Sequence, residues 1–252
     1  MRLLNLLSMK IAGVLIALVL IIAIQTNDSR TSGSSSKKNS TVVLLHGLGR
    51  TSRCMTKMEK SLAERGYRVV NVDYPSRDHS IEHLAENVLG SILKQIENSG
   101  TSKIHFVTHS MGGIVVRYYL AYNELDNLGR VVMISPPNQG TELADSLKNF
   151  FLFETYSGPA GRQLGTGKDS LPQELGPVSF DLGVIAGNRS LSPLYSLALP
   201  GPDDGIVSVE RTKVEGMADF IVLPHTHTFI MDGNDTIEQV VHFLEKGRFA
   251  RE

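Results

Sequence analysis

Cysteine and net charge are both scarce in this sequence. Cys54 is the single cysteine, so no internal disulfide can form and no pair of thiols is available for a zinc ion. The 25 lysines and arginines are balanced by 26 aspartates and glutamates, which leaves a net charge of -1 and no long-range positive field. We therefore expect no nucleic-acid partner.

The amino terminus differs in composition from the rest of the chain. Arg2 and Lys10 precede an unbroken apolar run over residues 11–24, and the chain then turns polar. The run indicates a membrane-directed segment over residues 1–25, and its length fits either a spanning anchor or the core of a signal peptide. Small residues for a cleavage site are poorly supplied, which favours an uncleaved anchor with the folded domain outside the cytoplasm. Secretion after cleavage is the alternative.

A serine-rich polar stretch follows over residues 26–40. It has no apolar periodicity and is typical of a flexible tether. Three basic residues beyond the apolar run weaken any assignment of membrane orientation by charge: Arg30, Lys37 and Lys38. The remaining residues, 41–252, are enough for one domain with a sizeable core.

Six apolar runs recur along this domain, with helical stretches between the first of them. The runs lie at 41–47, 67–75, 103–109, 129–137, 181–187 and 219–225. They are continuous rather than alternating, which is typical of parallel strands buried on both faces. The pattern predicts an α/β fold with a doubly wound, mostly parallel sheet of about six strands and helices on both faces. Ligands then bind beyond the carboxyl ends of the strands.

The interval from about 139 to 182 is too long for a simple connection and predicts a lid or small cap over that edge. Its aromatic stretch, Phe150–Tyr156, fits two hypotheses equally well. The stretch is either an apolar surface for acyl chains or a membrane, or ordinary packing of a cap helix against the sheet.

The third run ends in THSMG, residues 108–112, and an apolar helix follows. A serine at a sharp strand-to-helix turn is typical of a nucleophile elbow, so Ser110 is a candidate nucleophile. Gly112 provides the second glycine of that motif, whereas Thr108 replaces the first and crowds the turn. The alternative is that Ser110 only caps the helix that begins at Met111.

A serine nucleophile requires amide donors for the oxyanion that forms during the reaction. The first run exits through His46 and Gly47, and the backbone N–H of Leu48 can point into the site. The N–H of Met111, directly after Ser110, is the expected second donor.

A carboxylate and an imidazole are needed as well. Asp204, in the loop sequence DDGIV, is the preferred acid over its neighbour Asp203. A pair of turn-forming aspartates is the alternative explanation. Two further carboxylates are fallbacks, namely Asp145 and Asp181.

His227 and His225 both follow the last apolar run. His227 is the preferred base because the apolar sequence after it can hold the ring towards the elbow. As metal ligands the two histidines would need a third partner, which the nearby sequence does not offer. A second metal alternative is the stretch HSIEH, residues 79–83, which matches a zinc-peptidase pattern, although its histidines fall in the first turn of a predicted helix.

Taken together, HGLGR, THSMGG, DDGIV and HTHTF resemble the α/β-hydrolase superfamily, within it the compact branch of triacylglycerol lipases and glycosylphosphatidylinositol inositol-deacylases. The resemblance covers residues 41–252, lacks the first two strands of the full fold, and implies a lipase-like esterase without metal or organic cofactor. It implies these roles: Ser110 nucleophile, Asp204 acid, His227 base, Leu48 and Met111 oxyanion donors. The expected partner is an acyl ester or lipid. Acyl transfer on the same scaffold and an inactive membrane-tethered binding protein remain alternatives.

Overall fold

The protein is described by a computed structural model that covers residues 39–147 and 151–251, with the backbone alone at 147, 151–156 and 193–194. Its centre is a sheet of six parallel strands in the order β2-β1-β3-β4-β5-β6. The strands are β1 (Ser40–Leu45), β2 (Arg68–Val72), β3 (Lys103–His109), β4 (Leu128–Ile134), β5 (Leu182–Gly187) and β6 (Asp219–Leu223). Each lies within or overlaps one of the six apolar runs, so the predicted α/β fold is confirmed.

Helices cover both faces of this sheet. They are α1 (Thr56–Glu64), α2 (Ile81–His83), α3 (Gly90–Asn98), α4 (Met111–Tyr122), α5 (Glu142–Leu147), α6 (Phe151–Arg162), α7 (Leu171–Glu174), α8 (Pro193–Ser196) and α9 (Asn234–Lys246). A π-helical segment, Leu84–Leu89, joins α2 to α3. Gly66, just beyond α1, and Gly100, just beyond α3, both have positive φ, 89° and 74°, a conformation that glycine adopts without strain.

The two faces of the sheet carry separate cores, and β1 shows why. Val43 and Leu45 point to one face and pack with α3 and α4, while Val42 and Leu44 point to the other and pack with α1 and α9. β1, β3 and β5 are almost wholly buried, whereas the edge strands β2 and β6 are partly exposed. Continuous apolar strands are therefore explained by helices on both sides.

Strand order reverses at β1, because the chain first moves outward to β2 and then returns to place β3 on the other side. In open parallel sheets the crevice at such a reversal is where ligands bind, beyond the carboxyl ends of the strands. The loops after β1 and β3, which contain HGLGR and THSMG, meet at this crevice.

The segment between β4 and β5 contains α5, α6 and α7, so it has helical structure as expected of a cap. It contacts loops at the carboxyl edge of the sheet. A Cβ at Gly161 in α6 would lie 3.0 Å from Leu48 Cδ2, and the Thr141 hydroxyl donates to the Ile206 carbonyl (2.5 Å). Phe150 and the side chains of residues 151–156 lie outside the described part of the chain, and with them the predicted apolar surface.

At its amino end the fold begins two residues before the expected start at Thr41. The Asn39 carbonyl accepts a hydrogen bond from the Ser102 amide (2.8 Å), and Ser40 is already in β1. The predicted anchor, 1–25, and nearly all of the predicted tether lie outside the described residues. Within 39–147 and 151–251, none of the helices has the length and apolar character needed to cross a bilayer.

Candidate active site

Ser110 lies at the turn between β3 and α4 with φ 54° and ψ -126°, a backbone conformation that is strained for a residue with a side chain. Its amide donates to the Ile134 carbonyl (2.9 Å), which ties the turn to the end of β4. The side chain makes no capping hydrogen bond to α4. The helix-cap alternative therefore does not account for this serine.

Gly112 allows the helix to approach the end of β1 closely. A Cβ at this position would lie 2.8 Å from the carbonyl oxygens of Leu45 and His46, too close for any side chain. This is the physical reason for the second glycine of the elbow motif.

Thr108, the departure from the motif, is accommodated by a glycine on the other side of the turn. The Thr108 side chain is fully buried, and its Oγ1 lies 3.2 Å from the position that a Cβ on Gly113 would occupy. Gly113 has no side chain, so the Thr108 side chain can occupy the space that a side chain at position 113 would otherwise fill. The crowding expected at this turn is thus relieved by the neighbouring helix.

The structure brings Ser110, His227 and Asp204 together from three separate loops. The Ser110 hydroxyl lies 3.0 Å from Nε2 of His227, and Nδ1 of His227 lies 2.8 Å from Oδ2 of Asp204. The His227 amide also donates to the Asp204 carbonyl (2.9 Å), so side chain and backbone are both positioned. All three residues are less than a tenth exposed. This arrangement can move a proton from a hydroxyl to an imidazole whose other nitrogen is held by a carboxylate.

Asp204 is an anion held by several donors. Its Oδ1 accepts hydrogen bonds from the amides of Ile206 (3.0 Å) and Val207 (2.8 Å). Burial alone would raise the pKa of this carboxyl, but the interaction with His227, the Val207 amide and the nearby Ser135 hydroxyl together hold the pKa below its usual range. Ser135 directly follows β4, is fully buried and has a positive φ of 48°.

Asp204 does not directly follow a strand, although the predicted sheet places ligands beyond the carboxyl ends of its strands. It lies in the long β5–β6 connection, well after β5 ends at Gly187. An isolated antiparallel bridge between Asp203 and Ser208 closes the turn, and the turn presents Asp204. A Cβ at Gly187 would lie 2.9 Å from Asp204 Cβ, so the turn packs back onto the strand end.

The less favoured candidates have other partners. Oδ1 of Asp203 accepts from the Gly205 amide and the Ser196 hydroxyl, and Asp145 accepts from Thr166. Asp181 lies 3.8 Å from Arg130, and His225 is 2.6 Å from Asp235 on α9. Each of these contacts holds a turn or loop in place and leads away from Ser110.

The predicted oxyanion donors follow two neighbouring strands, β1 and β3. Met111 is the first residue of α4, where amides have no acceptor within the helix, and Leu48 follows the end of β1. His46 orders the Leu48 loop through contacts with Tyr74 and Gly47. Its ring stacks on Tyr74 (4.2 Å between centroids), and its Nδ1–H donates to the Gly47 carbonyl (2.9 Å). The Tyr74 hydroxyl in turn donates to the His46 carbonyl (2.5 Å). Burial lowers the pKa of His46, although the hydrogen bond to Gly47 and the charge of Asp73 oppose this. The ring is therefore neutral.

Sequence reasoning missed two residues that pack against the site, His109 and Ser135. His109 donates from Nε2 to the backbone carbonyl of His227 (3.0 Å), a contact across 118 positions that no local pattern reveals. The signal for His109 was its place next to the serine in THSMG. For Ser135 it was the serine directly at the end of the fourth apolar run.

The HSIEH stretch forms a helix start rather than a ligand set. The Ser80 hydroxyl accepts from the His83 amide (3.4 Å), which caps α2, and Glu82 is bound by the Gln163 side chain (2.6 Å). The His79 and His83 rings stack on each other. Within the described ranges, no group of three histidines, cysteines or carboxylates is arranged to hold a metal ion.

Comparison with known proteins agrees with this architecture. Solved structures with a similar fold include the mature lipase BlEst2 of Bacillus licheniformis, with a TM-score of 0.69 and 21% identity over 86% of this chain and 96% of that one. An esterase of Thermogutta terrifontis has a TM-score of 0.58 and 16% sequence identity, over 84% of this chain and 92% of that one. The phospholipase PlaB of Legionella pneumophila has a TM-score of 0.66 and 17% sequence identity, over 83% of this chain and 60% of that one. At these identities the similarity establishes the fold alone.

The family assignment comes from a different comparison. The model of the alpha/beta hydrolase family matches residues 42–243, which include most of β1, all of the other five strands and the loops that contain Ser110, Asp204 and His227. With a match over most of the chain, a parallel six-stranded sheet and the serine turn at its strand reversal, this protein belongs to the alpha/beta hydrolase family.

Proposed function

We propose that this protein is a serine hydrolase that cleaves carboxylic esters of lipids or other acyl compounds. The observation that carries the proposal is the hydrogen-bonded chain from the Ser110 hydroxyl through the His227 ring to the Asp204 carboxylate, at distances of 3.0 and 2.8 Å. Its position at the carboxyl edge of the sheet, where the family match and the lipase and esterase folds lead us to expect a site, supports the same function.

In the proposed reaction His227 Nε2 accepts the Ser110 proton while Oγ forms a bond to the ester carbonyl carbon. The carbonyl oxygen becomes an oxyanion and receives hydrogen bonds from the amides of Leu48 and Met111. The His227 imidazolium then gives its proton to the leaving alcohol, and an acyl-Ser110 ester remains. Water, activated in the same way, releases the acid and restores the hydroxyl.

Asp204 has the role of holding His227 in the tautomer with a proton on Nδ1. Because its pKa is lowered, the carboxylate stays ionised near neutral pH and stabilises the imidazolium that forms in each half of the reaction. The two backbone amides on Oδ1 leave Oδ2 free to face the ring.

The proposal is tested with a fluorophosphonate probe, which reacts with an activated serine. The wild-type protein should be labelled at Ser110, and Ser110→Ala should be unlabelled with turnover lower by roughly a millionfold. Ser91→Ala is the matched control, since the hydroxyl of this exposed serine in α3 donates to the Asn87 carbonyl in the preceding π-helical segment. A folded wild-type protein that is not labelled would favour a binding protein without catalytic activity.

We further propose that residues 1–25 anchor the protein to a membrane, with the hydrolase domain outside the cytoplasm and residues 26–38 as the tether. The support is the apolar run over residues 11–24, the basic residues before it and the polar stretch after it. An ester substrate would then be met near a lipid surface. Mass measurement of the mature chain tests the alternative of cleavage, because an anchored protein keeps its first 25 residues.

A further inference from the structure

His109 lies between two loops that the proposed reaction requires. Its ring is almost fully buried directly before Ser110 at the end of β3. On one side Nε2 is 3.0 Å from the backbone carbonyl oxygen of His227, and the two rings are 4.8 Å apart at a tilt of 50°. On the other side a Cβ at Gly47 would lie 3.0 Å from Nδ1 of His109. The ring thus fills the space between the base loop and the loop that contains Gly47 and Leu48.

The hydrogen bond determines the tautomer of His109. A carbonyl oxygen only accepts, so Nε2 has the proton and Nδ1 has a lone pair. Nδ1 has no hydrogen-bond partner among the residues that the structure describes. Burial lowers the pKa of His109 well below its usual range, and the groups facing it, His227, Arg50 and His46, lower the pKa further. The hydrogen bond from the ring to the His227 carbonyl raises the pKa, but the effect of burial is larger, so the ring is neutral.

We propose that His109 is a positioning residue for the base: its Nε2–H holds the backbone of His227 so that the imidazole of that residue faces the Ser110 hydroxyl. The inference rests on the proposed function of the site. His227 is in a loop between β6 and α9, and its backbone is also held by the hydrogen bond from its own N–H to the Asp204 carbonyl. Two hydrogen bonds, one on the amide and one on the carbonyl, fix both peptide units that flank the ring.

A neutral ring suits this position for an electrostatic reason. His227 becomes positively charged during each half of the proposed reaction, and a second cation at a ring separation of 4.8 Å would oppose that change. The neutral tautomer provides a donor for the carbonyl without a charge. A lysine or arginine would provide the donor with the charge, and a leucine would provide neither.

The test compares two substitutions of similar size at His109. His109→Leu keeps an apolar filler and removes the donor, whereas His109→Gln keeps an amide N–H that can reach the carbonyl. We expect His109→Leu to lower kcat on a soluble short-chain ester by roughly 10- to 100-fold with KM little changed, because a small misplacement of the base slows the chemical step. His109→Gln should recover most of the activity.

His105→Leu is the control, because His105 is a buried histidine of the same strand whose Nδ1 accepts from the Arg130 amide far from Ser110. It should cost stability in thermal unfolding and leave kcat and KM of the folded protein unchanged. The inference is overturned if His109→Leu behaves like this control, or if His109→Gln loses as much activity as His109→Leu. A wild-type protein that neither hydrolyses esters nor is labelled at Ser110 would instead refute the proposed function, and the inference with it.

Discussion

At the scale of single residues, neighbours in the sequence have unequal roles in the candidate site. Asp203 and Asp204 are adjacent, yet Asp203 closes its own turn through the Gly205 amide while Asp204 faces His227. The sequence favoured Asp204 and His227 over their alternatives, and His227 lies within hydrogen-bond distance of both Ser110 and Asp204. What no single-residue pattern predicted was the bond from His109 to the His227 carbonyl, since the two are 118 positions apart.

We expect Asp204→Asn to lower kcat by roughly 10⁴-fold on a soluble ester, because an amide cannot hold the His227 tautomer that the reaction needs. KM should change little, and the variant should still be folded by circular dichroism. Unchanged turnover would remove Asp204 from the proposed reaction, and the same substitution at Asp203 would then be the one to examine.

The same carboxylate links stability to pH. Since the pKa of Asp204 is below its usual value in the folded protein, its ionised form contributes stability that is fully present above the ordinary value of about 3.9. That contribution is lost as the pH falls through the lower pKa of the folded state. Urea unfolding of wild-type protein and Asp204→Asn should therefore differ most near neutral pH, and the difference should shrink in acid. A difference that grows in acid would mean that folding raises the pKa of this carboxyl instead of lowering it.

At the scale of elements, the strands and helices were predicted well because their signals are local. The six apolar runs correspond to the six strands, and Gly66 and Gly100 lie just beyond the ends of α1 and α3. The exposure of β2 and β6 was not predicted, because edge position depends on strand order rather than on composition. The π-helical segment, Leu84–Leu89, was likewise not signalled by the apolar spacing of the sequence.

Because the Thr108 side chain packs where Gly113 lacks one, we predict that substitutions at these two positions have coupled effects on stability. Gly113→Ala places a methyl group 3.1 Å from Met133 Sδ and 3.2 Å from Thr108 Oγ1, and it should cost about 1–2 kcal/mol of unfolding free energy, as overpacking does. Thr108→Ala in the same chain should recover part of that loss, which urea unfolding of the single and double variants measures.

Gly112→Ala provides the comparison, since its methyl group would meet the Leu45 and His46 carbonyl oxygens at 2.8 Å. The backbone cannot move aside as a side chain can, so this loss should be larger and Thr108→Ala should not relieve it. If Thr108→Ala rescued both glycine variants equally, the local account of the threonine would be wrong.

At the scale of the whole molecule, the parallel sheet separates the start of the described chain from the site. Asn39 is at the amino end of β1, and the candidate site is at the carboxyl ends of the strands. The described contacts of Asn39 are therefore at the opposite edge of the sheet from the candidate site.

A chain that begins at Asn39 should keep full activity on a soluble short-chain ester, because Asn39 and Ser40 retain their bonds to the 101–102 turn and to β3. Its activity on lipid vesicles should fall if residues 1–25 act as an anchor. Parallel assays on the two substrates, with the full chain as reference, give the comparison. Equal loss on both substrates would mean that the removed residues stabilise the domain rather than bring it to a membrane.

The sequence by itself determined the alternation of buried strands and helices, the sharp turn at Ser110 and the short set of residues from which a site could be built. These depend on side-chain periodicity and on glycine positions within a few residues of each other. The tertiary structure decided which imidazole faces Ser110, which carboxylate faces that imidazole, where the room for Thr108 comes from, and that His109 contacts the base loop. Most of those contacts join segments that are far apart in the sequence, and only the packed sheet and its loops bring them together. The choice between adjacent residues such as Asp203 and Asp204 depends on which way each side chain points in the folded turn.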